Sequence, residues 1–215
     1  MSQFRMNEVG EVQRCCTFRK CLDFSLGCIY KYLVNKNICF NGFHKLLAIE
    51  FTLEHPEMVT SLTLAGPIVS GFAFTEHFST RGGRGMPSRD APVDRKIEYW
   101  TAKDPWVMAP ENAGPRETMR KLMVENPQDL TGSGSFARCP GWTVTDRLSE
   151  IAAPTLIIVG ESDIPDVHTH AGVIQVGIKG SRRVVLTDSG HLAPIEKPDE
   201  LNRLVLDFLG STESL

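Results

Sequence analysis

Two side chains at the ends of two apolar runs could carry acid–base chemistry in this chain. The run Pro154-Thr155-Leu156-Ile157-Ile158-Val159 leads through Gly160-Glu161-Ser162 to Asp163, and the later run Arg183-Val184-Val185-Leu186 leads into Ser189-Gly190-His191. Short, β-branched and apolar, both runs are predicted as strands. A carboxylate and an imidazole then stand at neighbouring strand ends. A carboxylate that holds one ring nitrogen fixes the tautomer of the histidine and stabilises the imidazolium formed when the other nitrogen takes a proton. His191 is thus the candidate general base and Asp163 the candidate orienting acid, with Asp166 as the rival carboxylate. The alternative for His191 is a loop histidine satisfied by water.

Other clusters are weaker. His168-Thr169-His170 could set two imidazoles on one side of an extended segment, as a metal site requires, but only Asp166 lies near as a third ligand. An exposed polar loop is the better reading. Arg81-Gly82-Gly83-Arg84-Gly85 has the composition of a loop, without the preceding strand and Lys-Ser/Thr ending of a phosphate cradle. Cys15, Cys16, Cys21, Cys28 and Cys39 crowd the N-terminal stretch, with only Cys139 beyond. None is spaced as a zinc pair, so reduced thiols are expected and neither metal nor cofactor is.

A length of 215 residues, 41% hydrophobic and 23% charged, suffices for one substantial core. The net charge of −3 offers no basic stripe for a phosphate backbone or an anionic membrane, so neither nucleic acid nor a membrane surface is an expected partner. The sequence holds no run of about 18 apolar residues, and Arg5, Glu8 and Glu11 stand where a signal peptide needs an apolar stretch; a cytoplasmic location is expected.

The elements that position the pair follow from periodicity. Residues 1–40 show no sustained period and are expected to be irregular. From Lys45, Leu47, Ala48 and Phe51 share a helical face up to the His55-Pro56 stop, and Val59 to Ala65 reads as a strand. Residues 71–142 are Gly- and Pro-punctuated, with helix starts at Asp90-Ala91-Pro92 and Gly114-Pro115, and are predicted to form an inserted helical cap; Phe72, Phe74, Trp100, Trp106 and Trp142 are candidates for its pocket. A short helix from Val144 precedes the first strand of the pair. Leu201, Leu204, Val205, Phe208 and Leu209 form the stripe of a last helix that Gly210 is expected to end. Alternating strands and helices predict an α/β class with a mostly parallel sheet, whose core is 41–70 plus 143–215.

Three runs resemble the α/β-hydrolase fold family over about residues 44–215. Gly160-Glu161-Ser162-Asp163 looks like its acid strand end. Gly190-His191-Leu192-Ala193-Pro194-Ile195-Glu196-Lys197-Pro198 looks like its histidine loop, and Ala48-Ile49-Glu50-Phe51-Thr52-Leu53-Glu54-His55-Pro56-Glu57-Met58-Val59 looks like the helix after its nucleophile elbow. The resemblance implies a partial fold that keeps family strands 5-6-7-8. It also implies hydrolysis of a small, moderately apolar ester, lactone, amide or C–C substrate.

Aligned on that helix, the Gly-x-Ser-x-Gly elbow falls on Phe40-Asn41-Gly42-Phe43-His44. Gly42 occupies the serine position, so the nucleophile seat is vacated, and the Phe43 backbone N–H is the oxyanion donor that the resemblance leaves. Ser25 lies too far from the helix to substitute, and Cys39 falls within the strand. An N-terminally truncated or mis-joined reading frame is the expectation. With the earlier strands missing, strand 5 is expected as an open edge that residues 10–35 or a partner, a second copy included, would cover; otherwise the isolated chain is expected to fold poorly. A non-catalytic remnant that binds a ligand or partner is the competing function.

Overall fold

The computed structural model describes residues 37–41, 45–80, 83, 85–88, 90–110, 113–127, 130 and 143–212, with side chains described from residue 48. Among the described residues four strands lie in the order β1 (Asn37–Asn41), β2 (Ser61–Ala65), β3 (Thr155–Gly160) and β4 (Arg182–Leu186), and every neighbouring pair is parallel. The register sets Asn41 beside Ala65, Ala65 beside Ile158 and Gly160 beside Leu186. All the strands therefore deliver their C-terminal ends to one edge of the sheet, and loops gathered there can share a site.

Parallel strands covered on both faces read as continuous apolar runs. β2 and β3 are buried at every position. Leu62, Leu64, Ile157 and Val159 face one layer, packed with Ile49 of helix α1 (Lys45–Glu54) and with residues of the segment before β3. Leu156, Ile158 and Leu186 face the opposite layer, against Leu201, Val205 and Phe208 of the last helix. Each such side chain contributes about 1.5–3 kcal/mol on burial.

Between β2 and β3 run helices α2 (Glu76–Thr80), α3 (Val93–Glu98), continued by a π-helical turn Tyr99–Lys103, and α4 (Ala113–Glu125). They carry a third cluster, in which Ile97, Val107, Met108, Met119 and Met123 pack with Leu192 and Ile195 from the segment that follows His191. The chain returns through α5 (Val144–Arg147), a 3-10 turn Leu148–Glu150 and β3. Then come α6 (Pro165–Gly177), β4, α7 (Ala193–Glu196) and α8 (Pro198–Thr212).

Three expectations are corrected. Residues 37–40, the end of the stretch expected to be irregular, belong to β1, whose parallel pairing with the buried β2 supplies the order that no sequence period announces. His168-Thr169-His170 is neither extended nor a polar loop: it lies inside α6, which Pro165 starts and in which Val167, His170, Ala171 and Ile174 are buried at helical spacing. The apolar period of those residues outweighed the polar look of the tripeptide. Gly210 does not end α8, which continues to Thr212. The last carbonyls are satisfied there by side chains, Ser211 Oγ donating to Phe208 O and Thr212 Oγ1 to Leu209 O.

Candidate active site

Asp163 sits in the turn that leaves β3. Glu161 N–H donates to Leu186 O at 2.8 Å, Ser162 N–H to Ser189 O at 2.8 Å and Asp163 N–H to Gly160 O at 3.1 Å. The first two of these bonds tie the acid turn to the loop after β4. The Asp163 carboxylate is 1% exposed and accepts Ile164 N–H at 2.8 Å. His191 Nδ1 lies 2.9 Å from its Oδ2 and 3.1 Å from its Oδ1. With Nδ1–H donating to the carboxylate, Nε2 is the nitrogen that carries the lone pair of the neutral ring. The imidazole remains 29% exposed, open to a molecule approaching from outside. Asp166 is not the carboxylate on this histidine: its two oxygens accept Thr75 N–H at 2.7 Å and Thr75 Oγ1–H at 2.9 Å, which anchors the chain after β2 to the first turn of α6.

The histidine loop is gripped from two sides. His191 N–H donates to Trp106 O at 2.8 Å and Leu192 N–H to Val107 O at 3.0 Å. Asp104 turns the opposite strand of that contact, its Oδ1 accepting from the N–H groups of Trp106 and Val107, each at 3.0 Å. Glu196 Oε2 accepts Gly190 N–H at 2.7 Å and the Ser189 hydroxyl at 3.3 Å, while its Oε1 accepts Ala109 N–H at 2.6 Å. A β-carbon on Gly190 would stand 2.6 Å from Trp106 O and 2.7 Å from Met108 Cα; one on Gly160 would stand 2.1 Å from Gly190 O. Both positions need glycine because backbones pass through the space a side chain would take. Sequence reading did not assign Asp104 and Glu196 a role. The signal for Glu196 was its place in the Gly190–Pro198 run; Asp104 carried none beyond standing before a proline.

A cleft of about 430 Å3 is lined by Phe72, Ala73, Thr75 and His77 from the chain after β2 and by Pro165, Asp166 and Thr169 of α6; the His77 ring meets that of Trp106 edge-on at 5.0 Å. Phe72 and Phe74 are 38% and 41% exposed, and both rings pack on His170. His170 is fully buried, and its Nδ1 accepts Val69 N–H at 3.1 Å, an arrangement that belongs to the neutral ring. Burial pushes its pKa below the ordinary histidine value, against the opposing pull of the Asp166 carboxylate. His168 Nδ1 faces Arg183 Nη2 at 3.1 Å, so the two imidazoles of α6 meet different surroundings. No group of three His, Cys, Asp or Glu side chains among the described residues could hold a metal ion.

Gly42 and Phe43, the nucleophile and oxyanion positions of the sequence reading, lie outside the described residues, as do Ser25, Cys139, Trp142 and the first four cysteines. Cys39 lies in β1. Among the described residues no helix is long and apolar enough to cross a membrane.

No family model matches the chain. Over 178 residues it is 47% identical to a 2-hydroxy-6-oxononadienedioate/2-hydroxy-6-oxononatrienedioate hydrolase of Klebsiella pneumoniae, across 75% of this chain and 58% of that protein. Over 181 residues it is 29% identical to a 2-hydroxy-6-oxo-6-phenylhexa-2,4-dienoate hydrolase of Comamonas testosteroni, across 79% of this chain and 60% of that protein. Its fold matches a thermophilic esterase from Thermogutta terrifontis with a TM-score of 0.63 at 19% identity, covering 80% of this chain and 63% of that one. The chain thus spans about three fifths of the length of these two curated relatives.

Proposed function

We propose that this chain, which belongs to the α/β-hydrolase fold family, carries the acid–base half of a hydrolytic site for a small ester, lactone, amide or activated ketone, with its serine seat vacated at Gly42. The observation that carries the reading is the two-point contact of His191 Nδ1 with the buried Asp163 carboxylate, 2.9 and 3.1 Å. In the reaction, His191 Nε2 takes a proton from water as the oxygen adds to the substrate carbonyl, and the imidazolium is stabilised by Asp163. The tetrahedral oxyanion collapses, the bond to the leaving group breaks, and the proton on Nε2 passes to that group. For a 2-hydroxy-6-oxo dienoate, the substrate type in both relatives' names, the enol first ketonises, its 2-hydroxyl proton leaving as C5 takes one; water then adds at the C6 ketone and the C5–C6 bond breaks. The electron pair passes through the C3=C4 double bond to the C2 carbonyl oxygen, so the products are a carboxylic acid and a dienolate that takes the proton from Nε2.

Without a serine, acceleration is small. Sites stripped of triad members retain about 10³–10⁴ over water, through the oxyanion hole and binding. Gly42 favours a second reading, a ligand-binding protein without turnover.

A fluorophosphonate probe and short-chain p-nitrophenyl esters separate the two. The expected outcome is no labelled serine and a slow ester hydrolysis that His191→Ala abolishes. Labelling of a serine in the unsubstituted chain overturns the vacated seat, and a rate indifferent to His191→Ala favours the binding reading. Gly42→Ser is expected not to restore labelling, because Phe40 and His44 replace the small residues a nucleophile turn needs.

A further inference from the structure

We propose that Glu196 is a positioning residue for His191, one carboxylate that couples the base to the segment 104–109; the proposal rests on His191 being the working base. Glu196 is 8% exposed. Its two oxygens receive three donors from two separate stretches of chain: Ala109 N–H on Oε1, and Gly190 N–H and the Ser189 hydroxyl on Oε2. Gly190 precedes the base in the chain, and Ala109 ends the stretch whose Trp106 and Val107 carbonyls receive the His191 and Leu192 amides.

Geometry makes that carboxylate hard to replace. Two backbone N–H donors, one from each stretch, point at different oxygens of one side chain. An amide offers a single acceptor oxygen, so glutamine would leave either Ala109 N–H or Gly190 N–H facing an NH2 group. The loop has little room to adjust, since Gly190 is wedged between the Trp106–Met108 backbone on one side and Gly160 on the other. A displaced Gly190 therefore moves the imidazole relative to Asp163, whose own turn is closed by Asp163 N–H on Gly160 O and whose carboxylate is held by Ile164 N–H. Movement of the 104–109 segment reaches the base by the same route.

The test reads the His191 Nδ1–H proton directly, as the low-field proton NMR resonance of an imidazole hydrogen-bonded to a carboxylate, assigned by its loss in Asp163→Asn. In Glu196→Gln the resonance is expected to move upfield or broaden away while the protein still melts cooperatively. A residue that only stabilises the fold would lower Tm and leave the resonance in place, and that result overturns the proposal. Should Glu196→Gln not fold, hydrogen exchange on the unsubstituted protein decides. The Ala109, Gly190 and His191 amides are expected to open as one unit, with protection equal to within about tenfold, and a wider spread overturns the coupling. If the resonance shifts as expected while ester hydrolysis is absent, the positioning stands and the hydrolase reading falls.

Discussion

At His191 one ring nitrogen is spoken for and the other is open, because Asp163 is 1% exposed and the ring 29%. Asp163→Asn tests what the carboxylate does. Asparagine can still accept Ile164 N–H through its carbonyl oxygen, so the turn should survive, but its NH2 would favour the opposite tautomer of the ring, with the proton on Nε2. Steady-state ester hydrolysis is expected to fall by at least about tenfold in this variant, with Tm little changed. An unaltered rate would mean that the carboxylate does not orient the base. The identities of both partners were legible in the sequence, since each follows an apolar strand run in a recognisable order. The choice of Asp163 over Asp166 was not settled there: it depends on Thr75, 91 residues away from Asp166, supplying two donors to the rival. Chain separation of that size leaves no periodic trace.

Strands and helices were legible where periodicity was strong. β3 is apolar from Leu156 onward because helices cover both its faces, and α8 shows its stripe because only one of its faces is covered. α6 was harder, since its buried face includes His170 and Asp166, polar residues that imitate a loop. The contact between the histidine loop and the segment 104–109 was not readable at all, being made by backbone groups that any residue carries. Glycine at position 190 and the Glu196 carboxylate that bridges the two stretches are its imprints. Gly190→Ala would drive a methyl group to 2.6 Å from Trp106 O, an overlap that overpacking costs put at about 1–3 kcal/mol. Urea denaturation should show that loss, with a parallel loss of hydrolysis as the loop carrying His191 is pushed off its seat. A variant as stable and active as the parent would show that the loop is not wedged.

Over the whole molecule, the buried His170 links stability to pH. Its ring is held neutral with a lowered pKa, whereas in the unfolded chain it regains the ordinary value of about 6.5. The unfolded state thus takes up the proton first as pH falls. Stability from this group is complete above about pH 6.5 and is lost below it, toward the lowered folded value, at up to about 1.4 kcal/mol per pH unit. His170→Asn, whose side-chain oxygen can replace Nδ1 as acceptor for Val69 N–H, is expected to flatten the decline of Tm between pH 7.5 and 5.5. An unchanged slope would assign the acid sensitivity to other groups. Among the described residues β1 pairs only with β2, and we propose self-association across that edge, which would appear as a concentration-dependent mass in sedimentation.

The central claim is a base and its acid working without a covalent partner, and pre-steady-state hydrolysis of a p-nitrophenyl ester at enzyme concentrations near that of the substrate addresses it most directly. The account predicts nitrophenolate release that is linear from the first time point, with a slope that disappears in His191→Ala. A burst matching the enzyme concentration would reveal an acyl intermediate and a nucleophile in place, and a slope that survives His191→Ala would remove the base; either result contradicts the account.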